Sequence, residues 1–420
     1  MIYGCIGEHL PHSFSKIIHE KIENYNYILK ELTPSEIAPF MLNKEFSGIN
    51  VTIPYKETVI PYLDEIDSAA QAIGAVNTVV NKNGKLYGYN TDYAGLKALI
   101  AKTGLLLQNK KIIIIGMGGT AKTAHAVCKD CGASEILHIT RTGKSGSLTY
   151  QQAYAEHSNA NIVINTSPCG MFPKIDTLPV DSENKPFAFD AFPVLEGAID
   201  VVYNPLRTRF ILEAQNKGLV AEGGLYMLVA QAVFAAEHFT GKTYPTALID
   251  DIFNSLVSEK ENIVLIGMPG SGKSTLSKIL SQSLGCSQID TDALIVKKIG
   301  MPISDYFAKY GEEAFRTVES EVIREVAGTT HSVIATGGGA ILKEENVTAL
   351  KQNGKLYFLD RPLESLIPTQ DRPTASDAEA LKKRYQERYA IYVKTADEVI
   401  TDFSSPEITA CQIETRHKNK

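Results

Sequence analysis

The sequence predicts an α/β fold, in which strands and helices alternate along the chain. Three observations carry this prediction. Residues 110–129 and 261–280 each combine a β-branched apolar run, a glycine-rich turn and apolar residues at helical spacing. The first hundred residues also alternate between strand and helix patterns. With 420 residues, the chain is long enough for two or three domains of about 150 residues each.

Composition and charge exclude several classes of protein. Hydrophobic residues make up 44% and charged residues 21%, which is typical of a globular protein and too apolar for a disordered one. The net charge is −6 and there is no basic tail, so we expect no nucleic-acid partner. No apolar run approaches the roughly 20 residues of a membrane span, and the first residues do not resemble a secretory signal.

The six cysteines are scattered and do not form a disulfide pattern. Cys128 and Cys131 form a C-x-x-C, but no second pair of Cys or His residues has metal-ligand spacing. We therefore expect ordinary helix cysteines, and a cytoplasmic protein that acts on small molecules without a membrane partner.

Ahead of the first glycine turn, strand and helix patterns make up a lobe of their own. Strand patterns cover residues 1–7, 25–32, 48–56 and 75–89, and helix patterns cover residues 15–24, 34–43 and 91–102. A nucleotide-binding unit follows this α/β lobe, so we expect a cleft between a substrate lobe and a cofactor lobe.

The first glycine turn has the sequence GMGGTA, follows a strand pattern and opens a helix pattern. Glycines there let the backbone approach a pyrophosphate, and the helix N-terminus supplies N–H donors for it. The residues expected to hold the cofactor are Gly116, Gly118, Gly119, Thr120 and Ala121. Because alanine stands where the full Rossmann motif has its last glycine, a plain tight turn is the alternative.

The end of the next strand pattern carries Thr140 and Arg141, near the place where NAD enzymes bind the ribose 2′-hydroxyl with an acid. Arginine suits a 2′-phosphate instead, since guanidinium–phosphate hydrogen bonds are charge-assisted. Residues 1–256 contain only three arginines, and one falls on this position. The sequence therefore favours NADPH over NADH, with a solvated arginine as the alternative.

Eight short motifs follow one another in the first half of the chain. They are HSFS (12–15), NVTIPYK (50–56), GAVNT (74–78), NTD (90–92), GMGGTAK (116–122), NTSPCGM (165–171), YNPLRT (203–208) and GGLYMLVAQA (223–232). Together they resemble the shikimate dehydrogenase family over residues 1–256. The resemblance implies NADPH-dependent reduction of 3-dehydroshikimate to shikimate, and it adds Gly224 to the cofactor site. It also implies that six residues line the substrate site: Ser13, Ser15, Thr52, Asn77, Tyr203 and Gln231.

The chemistry of these residues suits a small hydroxylated acid. Serine hydroxyls can bind a carboxylate without burying a second charge, and the amides of Asn77 and Gln231 can each bind two neighbouring hydroxyls. Residue types alone leave alternatives open, because Ser13 and Ser15 also suit a helix cap and Gln231 also suits a solvated helix face.

Lys56 and Asp92 are the pair expected to carry the reduction. Hydride transfer to a ketone needs a proton for the developing alkoxide, and a lysine held by a carboxylate can donate it. By resemblance, the two residues match the catalytic lysine and aspartate of the family. Spacing alone favours a solvated lysine after a strand and an aspartate that caps a helix starting at Tyr93.

The second glycine turn is a complete G-x-x-x-x-G-K-S between a strand pattern and a helix pattern. Backbone N–H groups of such a loop cradle phosphates, its lysine reaches the outer phosphate oxygens and its serine binds Mg²⁺. The residues expected to bind ATP are Gly267, Gly270, Ser271, Gly272, Lys273, Ser274 and Thr275, of which Lys273 is also catalytic and Ser274 also binds the metal.

Segments further along the chain complete a second resemblance. The resemblance is carried by the P-loop and by IDTDALI (289–295), EEAFRTVES (312–320), ATGGGAI (335–341), DRP (371–373) and ERYAIY (387–392). Together these segments resemble shikimate kinase over residues 262–405. This implies phosphorylation of shikimate to shikimate 3-phosphate, with Asp290 supporting Mg²⁺ and Asp292 taking the acceptor hydroxyl. The implied substrate contacts are Asp292, Arg316, Gly338, Gly339 and Arg388, the arginines holding the carboxylate. A flexible glycine loop and a solvated helix arginine are the alternatives for the last three.

One stretch departs from the kinase pattern. Where the family has an arginine-bearing helix leading into a lid with R-P-L-L, residues 365–376 are SLIPTQDRPTAS. Pro368 ends the helix early, and Arg372 is the lid cation that remains. We therefore expect weaker ATP binding than in a typical member, unless Lys382, Lys383 or Arg384 substitutes.

The sequence thus predicts a bifunctional shikimate-pathway enzyme that uses NADPH, ATP and Mg²⁺ on small-molecule substrates. The expected order is a substrate lobe at 1–101 completed by 225–256, a Rossmann-type NADP lobe at 102–224, a linker at 257–262 and a P-loop kinase domain with a parallel sheet at 263–420. We expect a monomer or homodimer. The alternative is a quinate/shikimate dehydrogenase whose degenerate kinase half only binds a nucleotide.

Overall fold

The computed structural model describes residues 2–10, 13–144, 146–366 and 378–418. Contacts between residues divide the chain into two compact units. The first comprises Met1–Asn204 and Phe210–Ser255, and the second comprises Pro205–Arg209 and Leu256–Lys420. In the part of the chain that the structure describes, no helix is both long and apolar enough to cross a membrane.

The first unit begins with a mixed six-stranded sheet. Its strands are β1 (Tyr3–Gly7), β2 (Tyr27–Glu31), β3 (Gly48–Val51), β4 (Glu65–Ile66), β5 (Thr78–Lys82) and β6 (Lys85–Tyr89), in the order β2-β1-β3-β5-β6-β4. Helices α1 (Ser15–Ile22), α2 (Pro34–Asn43), α3 (Ser68–Ile73) and α4 (Thr91–Thr103) connect them. Strand β1 is parallel to β2 and β3, whereas β5 is antiparallel to β3 and β6.

The predicted α/β pattern of this lobe is confirmed, but the strand pattern at residues 48–56 ends at Val51 and is followed by turns, and another pattern is divided. The strand pattern at residues 75–89 forms a hairpin, because Asn83 and Gly84 adopt φ angles of 54° and 85° between β5 and β6. Asparagine and glycine are the residues that tolerate this left-handed conformation in tight hairpin turns. The short elements α3 and β4 lie in a stretch where no helix or strand is predicted.

A parallel five-stranded sheet follows in the same unit. Strands β7 (Lys111–Ile115), β8 (Glu135–Ile139), β9 (Ile162–Asn165), β10 (Gly197–Asp200) and β11 (Val220–Glu222) pair in the order β11-β10-β9-β7-β8. Helices α5 (Gly119–Asp130), α6 (Tyr150–Glu156) and α7 (Arg209–Asn216) belong to this lobe. Strand β7 lies inside the sheet between β9 and β8, and its residues from Ile112 to Ile114 are fully buried, as a continuous apolar run predicts for a parallel sheet.

Two helices follow in the chain, and the first unit ends at Ser255, within the second of them. Helix α8 (Leu225–Thr240) packs against α4 and α1, and α9 (Ala247–Lys260) follows it. Eleven residues of α8 are buried, which matches its mainly apolar sequence. The chain therefore returns to the first lobe after the parallel sheet.

The second unit is built on another parallel sheet. Strands β12 (Asn262–Ile266), β13 (Ser287–Asp290), β14 (Ser332–Ala335), β15 (Gly354–Leu359) and β16 (Glu398–Ile400) pair in the order β13-β14-β12-β15-β16. Its helices are α10 (Lys273–Leu284), α11 (Thr291–Ile299), α12 (Ile303–Ala327), α13 (Glu344–Asn353), α14 (Ala378–Thr395) and α15 (Pro406–Lys418). The predicted α/β class with a parallel sheet is confirmed.

The join between the predicted halves differs from the expected linker at 257–262. Helix α9 continues through Lys260, and β12 begins only two residues later. The polar stretch SEKEN contains good helix formers and no glycine or proline, so nothing in it ends the helix early.

Candidate active sites

Lys56 and Asp92 form a largely buried ion pair in the first unit. The Lys56 Nζ lies 2.6 Å from Asp92 Oδ2, and the two side chains are 16% and 11% exposed. Lys56 follows β3, and Asp92 lies in the first turn of α4. The cap of α4 is Asn90, whose Oδ1 accepts from the backbone N–H of Tyr93 at 3.1 Å. The Asp92 carboxylate is therefore left to hold the lysine.

This pair opens onto a cavity of about 230 Å³ within the first unit. Five of the six residues predicted for the substrate also line it: Ser15, Thr52, Asn77, Tyr203 and Gln231. The sixth, Ser13, donates from its Oγ to the Ser15 Oγ at 3.1 Å. The N-cap of α1 is Phe14, with no side-chain capping bond, but the Ser13 Oγ also accepts from the backbone N–H of Ser15, the first residue of the helix, at 3.3 Å.

The two amides of the cavity are held in fixed orientations. The Asn77 Oδ1 accepts from the backbone N–H of Thr91 at 2.7 Å, and its Nδ2 lies 3.5 Å from Gln231 Oε1. The Gln231 Nε2 donates to the Leu228 carbonyl at 2.9 Å. Gln231 is only 6% exposed, so it lies on the buried face of α8 and not on a solvated one.

Four polar residues of the cavity wall were not predicted: Cys5, Asn50, Thr166 and Ser167. Burial raises the pKa of the Cys5 thiol to about 12, which keeps it protonated and unreactive beside Lys56. Asn50 accepts a hydrogen bond from the Tyr27 hydroxyl at 2.6 Å. An asparagine inside the apolar strand GINV is a signal that could have identified Asn50, whereas a buried cysteine resembles an ordinary core residue.

The first glycine turn lies at the rim of this cavity. Gly118 is the N-cap of α5, and a Cβ added to it would meet no atom within 4 Å, so its backbone faces open space. Gly116 has a φ of 121°, and a Cβ there would lie 2.7 Å from the Thr166 Oγ1. Ala121 is buried in α5, whereas Thr120 and Gly224 line the cavity. This open, donor-rich helix terminus fits the pyrophosphate of a dinucleotide.

Two hydrogen-bonded histidines, His125 and His138, lie beside this turn. His138 Nδ1 lies 3.0 Å from the Gly116 carbonyl oxygen, and its Nε2 lies 3.0 Å from His125 Nδ1. A carbonyl can only accept, so His138 donates to Gly116 and accepts from His125. Burial, and then the neighbouring His138, lower the pKa of His125. The sequence analysis did not predict this pair.

The predicted 2′-phosphate residues lie just beyond β8. Arg141 is exposed, and its Nη2 donates to the Asn184 Oδ1 at 2.8 Å. The Thr140 Oγ1 bonds to the Ser147 Oγ at 2.8 Å and accepts from the Gly143 N–H, which fixes the turn. An exposed guanidinium with one neutral partner has donors left for an anionic group.

The second glycine turn connects β12 to α10 in the second unit. Gly267, Gly270 and Gly272 have φ angles of 147°, 81° and 96°, which glycine adopts without strain. Lys273 is buried, and its Nζ donates to the carbonyl oxygens of Gly267 and Met268 at 2.8 Å each. The loop thus has the curled backbone that a P-loop needs, with its lysine folded onto it.

The carboxylates that follow β13 reach this loop. The Ser274 Oγ donates to Asp290 Oδ2 at 2.8 Å, while Asp290 Oδ1 caps α11 through the N–H groups of Asp292 and Ala293. Thr275 is exposed at the next position of α10. The Ser274–Asp290 pair therefore lies where the metal of a P-loop enzyme is held.

A second cavity, of about 60 Å³, lies beside the P-loop within the same unit. Its lining includes every predicted substrate residue of this half: Asp292, Arg316, Gly338, Gly339 and Arg388. The Arg388 Nη1 donates to the Gly338 carbonyl at 3.0 Å, so Arg388 is no solvated helix arginine. A Cβ on Gly339 would crowd the Arg316 guanidinium, so a side chain at this position would displace the guanidinium.

Glu319 was not predicted, and it belongs to the same cavity. Its Oε2 accepts from Arg316 Nη1 at 2.7 Å, and its side chain is 1% exposed. Burial raises the pKa of Glu319, although the Arg316 charge opposes this. The spacing of three residues on one helix could have indicated the pair, but not its burial. The predicted lid residues Pro368 and Arg372 lie outside the described residues.

Fold and sites define a two-part α/β enzyme, a dinucleotide-dependent oxidoreductase followed by a P-loop phosphotransferase. Family models match the chain twice: the shikimate dehydrogenase substrate binding domain at residues 5–79 and shikimate kinase at residues 269–416. The chain belongs to the shikimate dehydrogenase family and carries a shikimate kinase domain, so it is a bifunctional shikimate-pathway enzyme.

The relatives cover the dehydrogenase half. A shikimate dehydrogenase (NADP(+)) of Clostridium perfringens is 35% identical, covering 61% of this chain and 98% of that protein. One from Clostridium beijerinckii is 37% identical over 56% of this chain and 90% of its own length.

Solved structures give the same assignment. A shikimate dehydrogenase from Peptoclostridium difficile is 31% identical with a TM-score of 0.55, covering 61% of this chain and 97% of that one. The chorismate mutase/shikimate 5-dehydrogenase fusion of Clostridium acetobutylicum is 33% identical with a TM-score of 0.55, covering 61% and 96%. The degenerate-kinase alternative is not favoured, because the kinase family model matches.

Proposed function

We propose that Lys56 and Asp92 carry the reduction of 3-dehydroshikimate to shikimate. When bound, NADPH supplies the hydride. The Lys56 ammonium donates a proton to the alkoxide that develops on the substrate oxygen, and the Asp92 carboxylate 2.6 Å away keeps the ammonium in place. The observation that carries this proposal is a largely buried lysine–aspartate pair in the wall of a cavity rich in hydroxyls and amides.

The other cavity residues suit the rest of this substrate. Ser13 and Ser15 lie together and can bind the carboxylate through their hydroxyl groups. Asn77 and Gln231 are fixed by backbone bonds, so their remaining donors and acceptors can bind ring hydroxyls, helped by Thr52 and Tyr203. The fixed orientations spare the enzyme the entropic cost of ordering these groups when the substrate binds.

The glycine turn and Arg141 are the residues that would hold NADPH. The open N-terminus of α5 at Gly118 suits the pyrophosphate, and the exposed Arg141 suits the 2′-phosphate. Gly116, Gly119, Thr120, Ala121, Thr140 and Gly224 complete this proposed cofactor site.

In the second unit we propose phosphorylation of shikimate from ATP. Gly267–Thr275 would bind the phosphates, with Lys273 leaving its loop carbonyls to reach them. Asp292 would orient the acceptor hydroxyl, while Arg316 and Arg388 hold the carboxylate beside Gly338 and Gly339. Ser274 and Asp290 are the oxygen donors that would hold Mg²⁺, which neutralises phosphate charge when bound.

We propose a substrate lobe at 1–101 with 225–256, an NADP lobe at 102–224 and a kinase domain from 263 onwards. A cytoplasmic location, a monomer or homodimer, and the lack of nucleic-acid or membrane partners stay predictions from the sequence.

A single coupled assay tests both activities. The protein is given 3-dehydroshikimate, NADPH and MgATP, while NADPH oxidation and shikimate 3-phosphate are followed. We expect Lys56→Ala to slow reduction by about 100-fold or more and to leave phosphorylation of added shikimate intact. Lys273→Ala should do the reverse.

Two exposed lysines provide matched controls. Lys242→Ala, in the first unit, and Lys278→Ala, in α10 of the second, should change neither rate. If both activities fall in either active-site variant while its circular dichroism spectrum is unchanged, two independent sites are ruled out.

A further inference from the structure

Arg361 is a basic residue beside the P-loop that no motif of the sequence singles out. It follows β15 by two residues, and β15 pairs with β12, the strand that opens the P-loop. Because parallel strands end at the same sheet edge, Arg361 lies next to that loop. Its Nη1 is 3.8 Å from where a Cβ on Gly272 would be.

The guanidinium of Arg361 has no anionic partner among the residues that the structure describes. Its Nε is buried and forms no hydrogen bond there. The neighbouring Asp360 instead accepts from the hydroxyls of Tyr385 and Tyr389, at 3.4 and 3.0 Å. A buried donor of a charged group without a partner is costly, so such a group is expected where a ligand completes it.

An aromatic ring lies beside this guanidinium. The Arg361 Cζ lies 5.6 Å from the centre of the Phe403 ring, within reach of a cation–π contact. A guanidinium has several N–H donors in a rigid fork, which matches the oxygen atoms of a phosphate group. Lys273 alone would supply only a point charge on this loop.

We propose that Arg361 binds a phosphate of the nucleotide held by the P-loop. Arg361 thereby supplies a guanidinium near the nucleotide in a chain whose residues 365–376 lack the helix arginine of the family pattern. Of the alternatives from the sequence, Lys382 and Lys383 are exposed on α14, whereas Arg384 is partly buried there. The proposal rests on the nucleotide site proposed for the kinase half, and it adds Arg361, which follows β15, to that site.

Equilibrium binding of ADP to the full chain, measured by calorimetry without shikimate, tests this assignment. Replacing the guanidinium in Arg361→Gln should weaken ADP binding by about tenfold to a hundredfold, since a hydrogen bond to a charged group is lost. Arg361→Lys should recover part of the loss, because it restores the charge without the fork. Arg324→Gln removes an exposed arginine of α12 and should leave ADP binding unchanged.

Adenosine distinguishes a contact of Arg361 with the phosphates from a contact with the base. It lacks phosphates, so its weak binding should be equal in wild type and Arg361→Gln. An equal loss of ADP and adenosine affinity would overturn the assignment, as would unchanged ADP binding in Arg361→Gln. Thermal unfolding of each variant shows whether the fold is kept, and Arg361→Lys serves if the glutamine variant unfolds.

Phosphorylation of shikimate by the wild type is measured separately. If the wild type binds ADP through Arg361 but transfers no phosphate to shikimate, the kinase proposal fails and the Arg361 assignment stands. If transfer occurs and ADP binding ignores Arg361, only the assignment fails.

Discussion

Polar residues at strand ends and helix starts form most of both sites, and these are the residues that motifs in the sequence can indicate. Lys56 follows β3, Asp92 begins α4 and Asp290 ends β13. Residues such as Cys5, His138 and Glu319 escaped prediction because their roles depend on what folds against them. Glu319 matters only because the loop Gly337–Gly339 covers the helix face that it shares with Arg316.

Arg141 gives the first prediction at this scale. Its guanidinium is exposed and bonded to one neutral oxygen, so Arg141→Ala removes a phosphate ligand without unbalancing a buried charge. We expect the KM for NADPH to rise by about tenfold to a hundredfold, because a charge-assisted hydrogen bond is lost. The KM for NADH, which has no 2′-phosphate, should hardly change.

Steady-state rates with both cofactors measure this effect. Asn184→Ala provides a control, because it frees the guanidinium from its present partner without removing it. A preference for NADPH that survives in Arg141→Ala would show that another group reads the 2′-phosphate.

At the scale of elements, the sequence predicts the bounds of a helix best where the hydrophobic periodicity agrees with residues that favour a helix start or end. Helix α2 begins at Pro34 as predicted, and its N-cap Thr33 forms a capping box with Glu36, the third residue of the helix. The extent of α9 could not be predicted as well, because SEKEN suits both an exposed helix end and a linker. Whether this stretch is helix or linker depends on where β12 begins to pair with its neighbouring strands.

The packing of α1 on the first sheet yields a pH-dependent prediction. His19 of α1 is fully buried, stacks on Tyr27 of β2 at 4.0 Å and bonds to the Tyr25 hydroxyl through Nδ1. Burial lowers the pKa of His19 from 6.5 to about 3. The unfolded chain therefore takes up a proton below pH 6.5 that the folded chain does not take up until near pH 3.

The free energy of unfolding should consequently fall as the pH is lowered through this window. For His19 alone the loss between pH 7 and pH 5 is about 2 kcal/mol, since each pKa unit corresponds to about 1.4 kcal/mol. His19→Phe keeps the stacking ring and removes the titration. Urea unfolding followed by circular dichroism at both pH values should show a smaller pH dependence in the variant, and an identical one would contradict a neutral buried histidine.

At the scale of the whole molecule, the chain order and the two compact units do not coincide. Motifs divide the sequence near residue 256, yet Pro205–Arg209 belongs to the second unit. No pattern in YNPLRT indicates this, because the contacts of that segment are made with residues far along the chain. The backbone N–H of Leu206 donates to Asn353 Oδ1 at 2.9 Å, and Arg207 N–H donates to the Gln352 carbonyl at 2.9 Å.

Arg207 makes this segment part of the stability of the second unit. Its Nη2 lies 2.8 Å from Glu261 Oε1, and the Glu261 side chain is only 2% exposed. The guanidinium also donates to the carbonyls of Lys351 and Gly354, at 2.8 and 2.9 Å. Removing it takes this ion pair from a buried carboxylate, which also lies 3.8 Å from His417 Nδ1.

Arg207→Met should therefore destabilise the second unit by about 3 kcal/mol, the usual cost of breaking a buried ion pair from one side. Kinase activity remaining after stepwise heating measures the effect, because it reports on the unit that holds Glu261. The double variant Arg207→Met/Glu261→Gln removes the unpaired charge and should recover much of the loss. If Arg207→Met loses kinase activity at the same temperature as the wild type, residues 205–209 do not stabilise the second unit. If Arg207→Met loses activity at a lower temperature and the double variant regains the wild-type temperature, Arg207 stabilises this unit by neutralising the buried Glu261.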